Sequence, residues 1–320
     1  MPLIYVTSTV HADTLAHAAR VGDVVLGYGP DAVPFAEVQD RVDAVLLRAG
    51  AFGAAQMDAC PRLRIVARHG AGFDTVDIPA ATARGIWVTN TPGANSRAVA
   101  EHVFALVLSL ARKLDIASAQ TRGGAWSEHR AALNGAELHG RTLGLLGQGT
   151  IGRIVSDVGR ALGMTVLVCD PAADPAQAGV VTFDRLLAEA DVLSLHVPLL
   201  PSTRHIIDAQ AIAAMKTGAI LINTGRGGLV DEEALAQALI SGKLGGAGLD
   251  VLEAENTDMI APMAHNRLDI AGLPNLIVTP HVAGQTDEAL IRVGQATVAQ
   301  IATALSGGRP EFALNDPAGR

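Results

Sequence analysis

Short runs of apolar residues alternate with amphipathic stretches along almost the whole chain. In the first third, the predicted strands are residues 3–7, 43–47, 64–67 and 86–88, and the predicted helices lie near residues 11–20, 54–59 and 77–83. This alternation is typical of α/β folds, in which helices cover a parallel sheet. A long stretch rich in Ala, Val and Leu follows, and it predicts a helix over residues 96–121.

A second series of strands begins near residue 143. The near-continuous apolar runs of buried parallel strands are residues 143–146, 165–169, 192–196, 219–223, 246–250 and 276–279. Asp231 and Thr286 are the predicted N-caps of helices over residues 232–240 and 287–305. Because the chain opens with one α/β unit and closes on a lone helix, we expect a discontinuous first domain. It comprises residues 1–96 and 288–320, with residues 97–287 forming a nucleotide-binding domain.

Composition excludes several classes of protein. The 320 residues carry 24 Lys+Arg and 32 Asp+Glu, a formal charge of −8, which argues against nucleic-acid binding. With 49% hydrophobic and 18% charged residues the chain is globular. The two cysteines, Cys60 and Cys169, show no spacing typical of a disulfide framework or a metal site. No signal peptide or membrane-spanning run is expected, so the cytoplasm is the favoured compartment and membrane association is not expected.

A glycine-rich turn follows the predicted strand 143–146 directly. Gly147, Gly149 and Gly152 form a G-x-G-x-x-G pattern at the start of a helical stretch, and Asp170 ends the next strand. These glycines allow a tight turn, close approach to a pyrophosphate and close helix–strand packing, while the acid can bind ribose hydroxyls. An ordinary tight turn is the alternative. The context predicts a dinucleotide site, and the lack of Arg or Lys just after Asp170 favours NAD over NADP.

Three chemically useful side chains lie beyond predicted strands of the second series. They are Arg226, Glu255 and His281. The carboxyl ends of parallel strands line the binding crevice of an open sheet. An arginine suits a carboxylate, and a histidine can exchange the proton of a hydroxyl group. Each residue could instead be a surface or structural side chain, but their shared position favours catalysis.

Several segments, in order and across essentially the whole chain, resemble the NAD-dependent D-isomer-specific 2-hydroxyacid dehydrogenases. In the second series they are residues 147–152 with Asp170, 196–199 (HVPL), 223–228 (NTGRGG), 249–251 (LDV) with Glu255, and 279–284 (TPHVAG). In the first they are residues 70–74 (GAGFD) and 90–93 (NTPG), followed by 98–102 (AVAEH). The chain is most similar to the 3-phosphoglycerate dehydrogenase and hydroxypyruvate reductase branch.

This resemblance implies a fold and a set of roles. The fold would be two Rossmann-like or flavodoxin-like parallel-sheet domains, with NAD as cofactor, no metal, and a homodimer formed through the long helix. Arg226 would hold the substrate, His281 would exchange its proton, and Glu255 would orient His281 and keep it protonated. The implied cofactor contacts are Gly147, Gly149, Thr150, Ile151, Gly152, Asp170, His196, Val197, Pro198, Thr203, Thr224, Gly225, Asp250, His281 and Gly284. The implied substrate contacts are Arg48, Arg68, His69, Gly70, Ala71 and Arg226.

The identity of the 2-hydroxy acid stays open. Arg48 and Arg68 match positions of cationic substrate contacts in the phosphoglycerate branch, where they could bind a phosphate or second acidic group, but both could equally be solvated. Leu252 stands where an aromatic residue is usual, and the long segment 256–274 could be a substrate-specific wall or an oligomer contact. We expect a substrate of hydroxypyruvate/glyoxylate or 3-phosphoglycerate type. The alternative is an NAD-sensing, co-repressor-like protein on the same scaffold.

Overall fold

The computed structural model describes residues 1–126, 130–174, 176–257 and 261–317. They divide into two units: unit 1 comprises Met1–Asn95 together with the chain from Gln285 onward, and unit 2 spans Ser96–Gly284. Each unit contains one sheet whose strands all run parallel. The expected fold class, two parallel-sheet α/β domains with the first one discontinuous, is therefore confirmed.

Unit 1 is a five-stranded sheet in the order β2-β1-β3-β4-β5, the order of flavodoxin-like folds. Its strands are β1 (Leu3–Val6), β2 (Asp23–Leu26), β3 (Val42–Leu47), β4 (Ile65–Arg68) and β5 (Trp87–Thr89). Its helices are α1 (Ala12–Ala18), α2 (Ala54–Asp58), α3 (Ile78–Ala83) and α10 (Asp287–Leu305), with 3₁₀ turns at Phe35–Glu37 and Gln39–Arg41. The edge strand β2 was not predicted, because it is short and only half-buried.

Unit 2 is a six-stranded sheet in the order β7-β6-β8-β9-β10-β11. Its strands are β6 (Thr142–Leu146), β7 (Thr165–Cys169), β8 (Val192–Leu195), β9 (Ala219–Asn223), β10 (Leu244–Leu249) and β11 (Leu276–Val278). Its helices are α4 (Ser96–Arg112), α5 (Leu114–Arg122), α6 (Thr150–Ala161), α7 (Phe183–Glu189), α8 (Ala209–Ala214) and α9 (Glu232–Ile240). Its 3₁₀ turns are Arg130–Leu133, Gly227–Leu229, Glu253–Asn256 and Pro262–Ala264. A parallel bridge between Val180 and Val168 adds an edge segment beside β7, which completes the Rossmann order around a switch point between β6 and β8.

Strand register brings several sequence motifs of unit 2 to one edge. Asn223 at the end of β9 pairs with Leu249 of β10, and Leu249 pairs with Val278 of β11. The three strands therefore end side by side, and the loops that follow them start from neighbouring positions. Buried Leu and Ile side chains along these strands, among them Leu221, Ile222, Leu249 and Leu276, anchor the strands in the core.

The long helix predicted over residues 96–121 is in fact two helices. Lys113 adopts a left-handed conformation with φ of 52° and separates α4 from α5. The carbonyl of Ala111 accepts a hydrogen bond from the amide of Ala136 at 2.8 Å. The segment that contains Ala136 therefore satisfies a carbonyl group near the C-terminal end of α4. Across the described residues, the helices are all too short or too polar to traverse a bilayer.

Candidate active site

Arg226, Glu255 and His281 follow β9, β10 and β11, the three strands that end side by side in unit 2. Nδ1 of His281 lies 2.6 Å from Oε2 of Glu255. The other carboxylate oxygen of Glu255 accepts the amide of Leu252 at 2.8 Å, so the carboxylate is held while it contacts the imidazole. The side chain of Glu255 is 13% exposed and that of His281 is 46% exposed. A carboxylate can only accept here, so Nδ1 of His281 carries a proton.

Hydrogen bonds also fix the backbone of His281 and of the loop around it. Its φ of 54° lies in the left-handed region, which a non-glycine residue adopts only when its surroundings impose it. Its amide donates to the carbonyl of Asp250 at 2.9 Å. The buried Asp250 carboxylate accepts from the Thr279 hydroxyl at 2.6 Å and from the amides of Val282 and Ala283 at 2.9 and 2.8 Å. Asp250 therefore fixes the loop on both sides of the catalytic candidate.

A second histidine supports this loop from α4. Nε2 of His102 lies 3.0 Å from the Thr279 hydroxyl and 3.7 Å from the Asp250 carboxylate. Because the Thr279 hydroxyl donates to Asp250, it accepts from His102, which places the proton of that ring on Nε2. His102 and Thr279 lie within motifs that resemble the family, but neither was predicted to be a site residue. Only their contact with Asp250 identifies them.

The loop that carries Arg226 packs backbone to backbone against the turn that carries Glu255. A Cβ atom at Gly227 would lie 2.0 Å from the carbonyl carbon of Leu252 and 2.2 Å from the amide nitrogen of Glu253. Glycine is required here for close approach rather than for its backbone angles. Arg226 Nη1 donates to the carbonyl of Gly225 at 2.8 Å, and the side chain of Asn223 donates to the carbonyl of Arg226 at 2.8 Å. Arg226 and Glu255 are therefore positioned together.

The glycine-rich turn lies at the switch point of the sheet. Gly147 has φ of 97°, and a Cβ there would lie 2.7 Å from the carbonyl oxygen of His196 after β8. A Cβ at Gly152 would lie 2.4 Å from the carbonyl oxygen of Gly147. A Cβ at Gly149 would meet nothing within 4 Å, so the backbone faces open space where α6 begins with Thr150 and Ile151. This arrangement suits a pyrophosphate at the helix N-terminus.

Other predicted cofactor contacts surround this turn. Asp170 follows β7, and its two carboxylate oxygens accept the amides of Gln148 at 2.6 Å and Ala172 at 2.8 Å. Each oxygen retains a lone pair that a ribose hydroxyl could use. After β8, burial lowers the pKa of His196 to about 4, and Nε2 of its ring lies 3.0 Å from the Ser194 hydroxyl. The His196 ring is therefore neutral at physiological pH.

The remaining predicted contacts of unit 2 lie in loops after β8, β9 and β11. The Thr203 hydroxyl donates to the carbonyl of Pro198 at 2.7 Å and accepts the amide of Leu200 at 2.8 Å, so it closes the loop that starts with Val197. Thr224 and Gly225 directly precede Arg226, and the Gly225 amide donates to the Asn223 side chain at 3.0 Å. Gly284 ends the unit.

In unit 1, the predicted substrate residues follow β3 and end β4. Arg48 Nη2 donates to Oε1 of Gln285 at 3.0 Å, and Nη1 donates to the carbonyl of Thr9. Arg68 Nη1 donates to the carbonyls of Leu47 at 3.2 Å and His69 at 3.0 Å. Gly70 has φ of 140°, and the carbonyl of Ala71 accepts the Asn90 side chain at 2.7 Å. Burial, together with the charges of Arg48 and Arg68, lowers the pKa of His69 to about 4.

Comparison with known proteins supports the same interpretation as the geometry of the site. Residues 104–283 match the family model described as the D-isomer specific 2-hydroxyacid dehydrogenase, NAD binding domain. The D-3-phosphoglycerate dehydrogenase of Mycobacterium leprae is 38% identical over 98% of this chain and 59% of its own length. The hydroxypyruvate reductase of Thermotoga maritima is 43% identical over 82% of this chain and 84% of its own. The crystal structure of the TT0316 protein from Thermus thermophilus has a TM-score of 0.86 and 35% identity, covering 98% of this chain and 100% of that one.

The chain belongs to the D-isomer specific 2-hydroxyacid dehydrogenase family. The resemblance inferred from the motifs is therefore confirmed, and NAD is the dinucleotide of the matched domain. The fit is visible in the residues themselves: an open glycine turn at a helix N-terminus and a carboxylate beside it. The chain spans about three fifths of the length of the phosphoglycerate dehydrogenases that it matches.

Proposed function

We propose that this 2-hydroxyacid dehydrogenase family member interconverts a small D-2-hydroxy acid and its 2-oxo acid with NAD. The observation that carries the proposal is the 2.6 Å contact between Nδ1 of His281 and the Glu255 carboxylate. A histidine oriented by a carboxylate is the arrangement of a general acid–base group. The His281–Glu255 pair follows strands of the same sheet whose switch point carries the glycine-rich turn. A group that exchanges a proton and a site for the hydride-carrying dinucleotide are therefore found in one unit, as NAD-dependent oxidoreduction requires.

The proposed mechanism assigns one task to each residue. Arg226, always charged, binds the substrate carboxylate and polarises the carbonyl oxygen. His281 Nε2 gives a proton to that oxygen during reduction and removes it from the hydroxyl during oxidation. Glu255 accepts the proton on Nδ1 and so orients the ring. Bound NADH supplies the hydride, and Asp250 maintains the loop geometry that keeps His281 in place.

We further propose that Arg48 and Arg68 bind the anionic groups of the substrate, with His69, Gly70 and Ala71. Among the described residues, the Arg48 guanidinium contacts only neutral oxygen acceptors, so no carboxylate neutralises it. An uncompensated guanidinium is well suited to a phosphate or a second carboxylate. This supports a substrate with a second anionic group, as in the 3-phosphoglycerate type; the alternative is the hydroxypyruvate/glyoxylate type, whose single carboxylate Arg226 would bind.

The first experiment is NADH oxidation with a panel of 2-oxo acids. Glyoxylate, pyruvate, hydroxypyruvate, 3-phosphohydroxypyruvate and a sulfonated analogue are each compared at equal concentration, and each assay is repeated with NADPH. We expect turnover with NADH, and a preference for one acid identifies the substrate. A preference for the phosphorylated or sulfonated acid would support anion binding by Arg48 and Arg68.

The same assay distinguishes an enzyme from an NAD sensor. A sensor would bind NADH, measured by the change in its fluorescence, without turning over any of the acids. That outcome would contradict the proposed activity. It would leave family membership and dinucleotide binding unchanged, since neither depends on turnover.

We also propose that the protein is a cytoplasmic homodimer. Large apolar side chains are exposed on α4 (Leu108), on α5 (Leu114) and in the segment after α5 (Trp126), the last of them 75% exposed. An exposed apolar group of this kind is typical of an interaction site. Cys60 and Cys169 are both free thiols, as a reducing compartment favours. Sedimentation velocity of the wild type and of Leu114→Glu tests the dimer, which the variant should weaken.

A further inference from the structure

Glu232 is a buried carboxylate to which neither the motifs nor the proposed mechanism gives a role. It is the first residue of α9 and is 7% exposed. The helix does not need it as a cap, because Asp231 already accepts the amides of Glu233 at 3.0 Å and Ala234 at 3.1 Å. Instead, Oε1 of Glu232 accepts the amide of Glu253, 21 residues away in sequence, at 2.6 Å.

That amide opens the 3₁₀ turn Glu253–Asn256, which carries Glu255. Two successive amides are thereby held by carboxylates: Leu252 by Glu255 and Glu253 by Glu232. The first bond closes the turn on itself, while the second ties the turn to α9. The second bond therefore fixes where the turn stands relative to the sheet, and with it the direction in which Glu255 meets His281.

This position costs free energy, which argues against an incidental contact. Burial raises the pKa of Glu232, and the negative charges of Glu253 and Glu255 act in the same direction, opposed by the Glu253 amide bond and by Arg267. Glu253 has its own partners, the Arg204 guanidinium at 2.5 Å and the His205 ring at 2.9 Å. A carboxylate kept buried near two others, when its helix is already capped, is the kind of perturbed group found at functional sites.

We propose that Glu232 is a positioning residue for the Glu255–His281 pair. It acts through the backbone of the Glu253–Asn256 turn and does not touch the substrate. The proposal deepens the proposed function and rests on it for its kinetic consequences, but the contact itself can be tested without turnover.

The kinetic test compares Glu232→Ala with Glu232→Gln, in the full chain, using the acid preferred by the wild type. Alanine removes the acceptor and leaves the Glu253 amide buried, so kcat should fall about 10-fold or more while KM for NADH stays unchanged. Glutamine keeps an acceptor oxygen at the same reach, so its kcat should stay within about threefold of wild type. Glu233→Ala is the matched control: it changes the next glutamate of the same helix, which is exposed, and should leave kcat unchanged.

The second readout is amide hydrogen exchange over the peptide that contains residues 253–257. Glu232→Ala should accelerate exchange there, and Glu232→Gln and Glu233→Ala should not. If the wild type turns over no acid, the proposed function fails while this exchange result still decides whether Glu232 holds the turn. If Glu232→Ala does not fold, Glu232→Asp replaces it, since its shorter side chain withdraws the acceptor. Wild-type exchange and kcat in the alanine or aspartate variant, or no rescue by glutamine in a folded protein, would overturn the proposal.

Discussion

The loops at the ends of the two sheets differ in how their charged candidate residues are partnered. In unit 2 the charged candidates meet partners: His281 faces Glu255, and the Asp250 carboxylate accepts three hydrogen bonds. In unit 1 two of the candidate residues at the ends of β3 and β4, Arg48 and Arg68, are cationic, and Arg48 contacts only neutral oxygens within the described part of the chain. The accumulated positive charge is one reason that the pKa of His69 is lowered to about 4.

This difference separates two tasks that a dehydrogenase of this kind must perform. Proton exchange needs a titratable group held at a fixed distance from a partner that stabilises its charged form. Recognition of an acidic substrate needs positive charge that is not already neutralised by the protein. Under the proposed function, the Glu255–His281 pair of unit 2 fits the first task and Arg48 of unit 1 fits the second, so substitutions in the two units should affect different kinetic constants.

The largest effect is expected from His281→Gln. Glutamine cannot exchange a proton, so kcat should fall roughly 100-fold or more. Binding of NADH, measured by fluorescence titration, should persist because the glycine turn is unchanged. A kcat close to wild type would remove His281 from the mechanism and with it the catalytic character assigned to unit 2.

Gly227→Ala should have the next largest effect. Its Cβ would lie 2.0 Å from the carbonyl carbon of Leu252, so the Arg226 and Glu255 loops must separate. Misplacement on this scale should reduce kcat about 10- to 100-fold. Gly228→Ala is the control, because its Cβ would meet the flexible ends of two side chains, Leu199 at 3.1 Å and Arg204 at 3.5 Å, and no backbone atom among its nearest neighbours. Equal losses in both variants would mean that the backbone contact at Gly227 is not what matters.

Arg48→Met tests the anionic recognition assigned to unit 1. Losing a charge-assisted hydrogen bond should raise KM for a phosphorylated or sulfonated 2-oxo acid about 10-fold. KM for glyoxylate serves as the internal control and should change little, since glyoxylate has no second anionic group. A parallel rise for both acids would indicate a general structural defect instead.

Asp170→Ala should narrow the preference for NADH over NADPH. The Asp170 carboxylate repels a 2′-phosphate and can bind the ribose hydroxyls, so its loss should change the ratio of kcat/KM values by several-fold, about 1 kcal/mol. Asp170→Asn is a useful second variant, because it can still accept one of the amides of Gln148 and Ala172. An unchanged ratio in both variants would argue against this role for Asp170.

The smallest effect concerns stability rather than activity. The folded pKa of His69 is about 4, below the value near 6.5 of an unfolded chain, so the fold favours the neutral ring. Its contribution is complete above pH of about 6.5 and is lost progressively as the pH falls toward 4. Thermal unfolding between pH 7.5 and 5 should show a drop in Tm that His69→Gln reduces by on the order of a few degrees. The His69→Gln variant should keep the part of the Tm drop that comes from His196, because the pKa of His196 is also lowered.

Sequence patterns alone predicted the class of the fold, which the structure confirms, and they indicated the glycine turn, the order of the motifs and three candidate catalytic residues. These features are local: apolar periodicity marks each strand, and each motif lies within a few residues of a strand end. The Asp231 and Thr286 caps were predicted for the same reason, and both side chains accept amides of the first helical turn.

The residues that support these three candidates are recognisable only from contacts between distant parts of the chain. His102 reaches Thr279 across 177 residues of sequence, Glu232 reaches the Glu253 amide across 21, and Gly227 meets the backbone of Leu252. None of these residue types is unusual where it stands, and no spacing along the chain indicates the contact. Strand register and helix packing bring them together, because long-range proximity depends on which strands are neighbours and on how deeply each helix lies against the sheet.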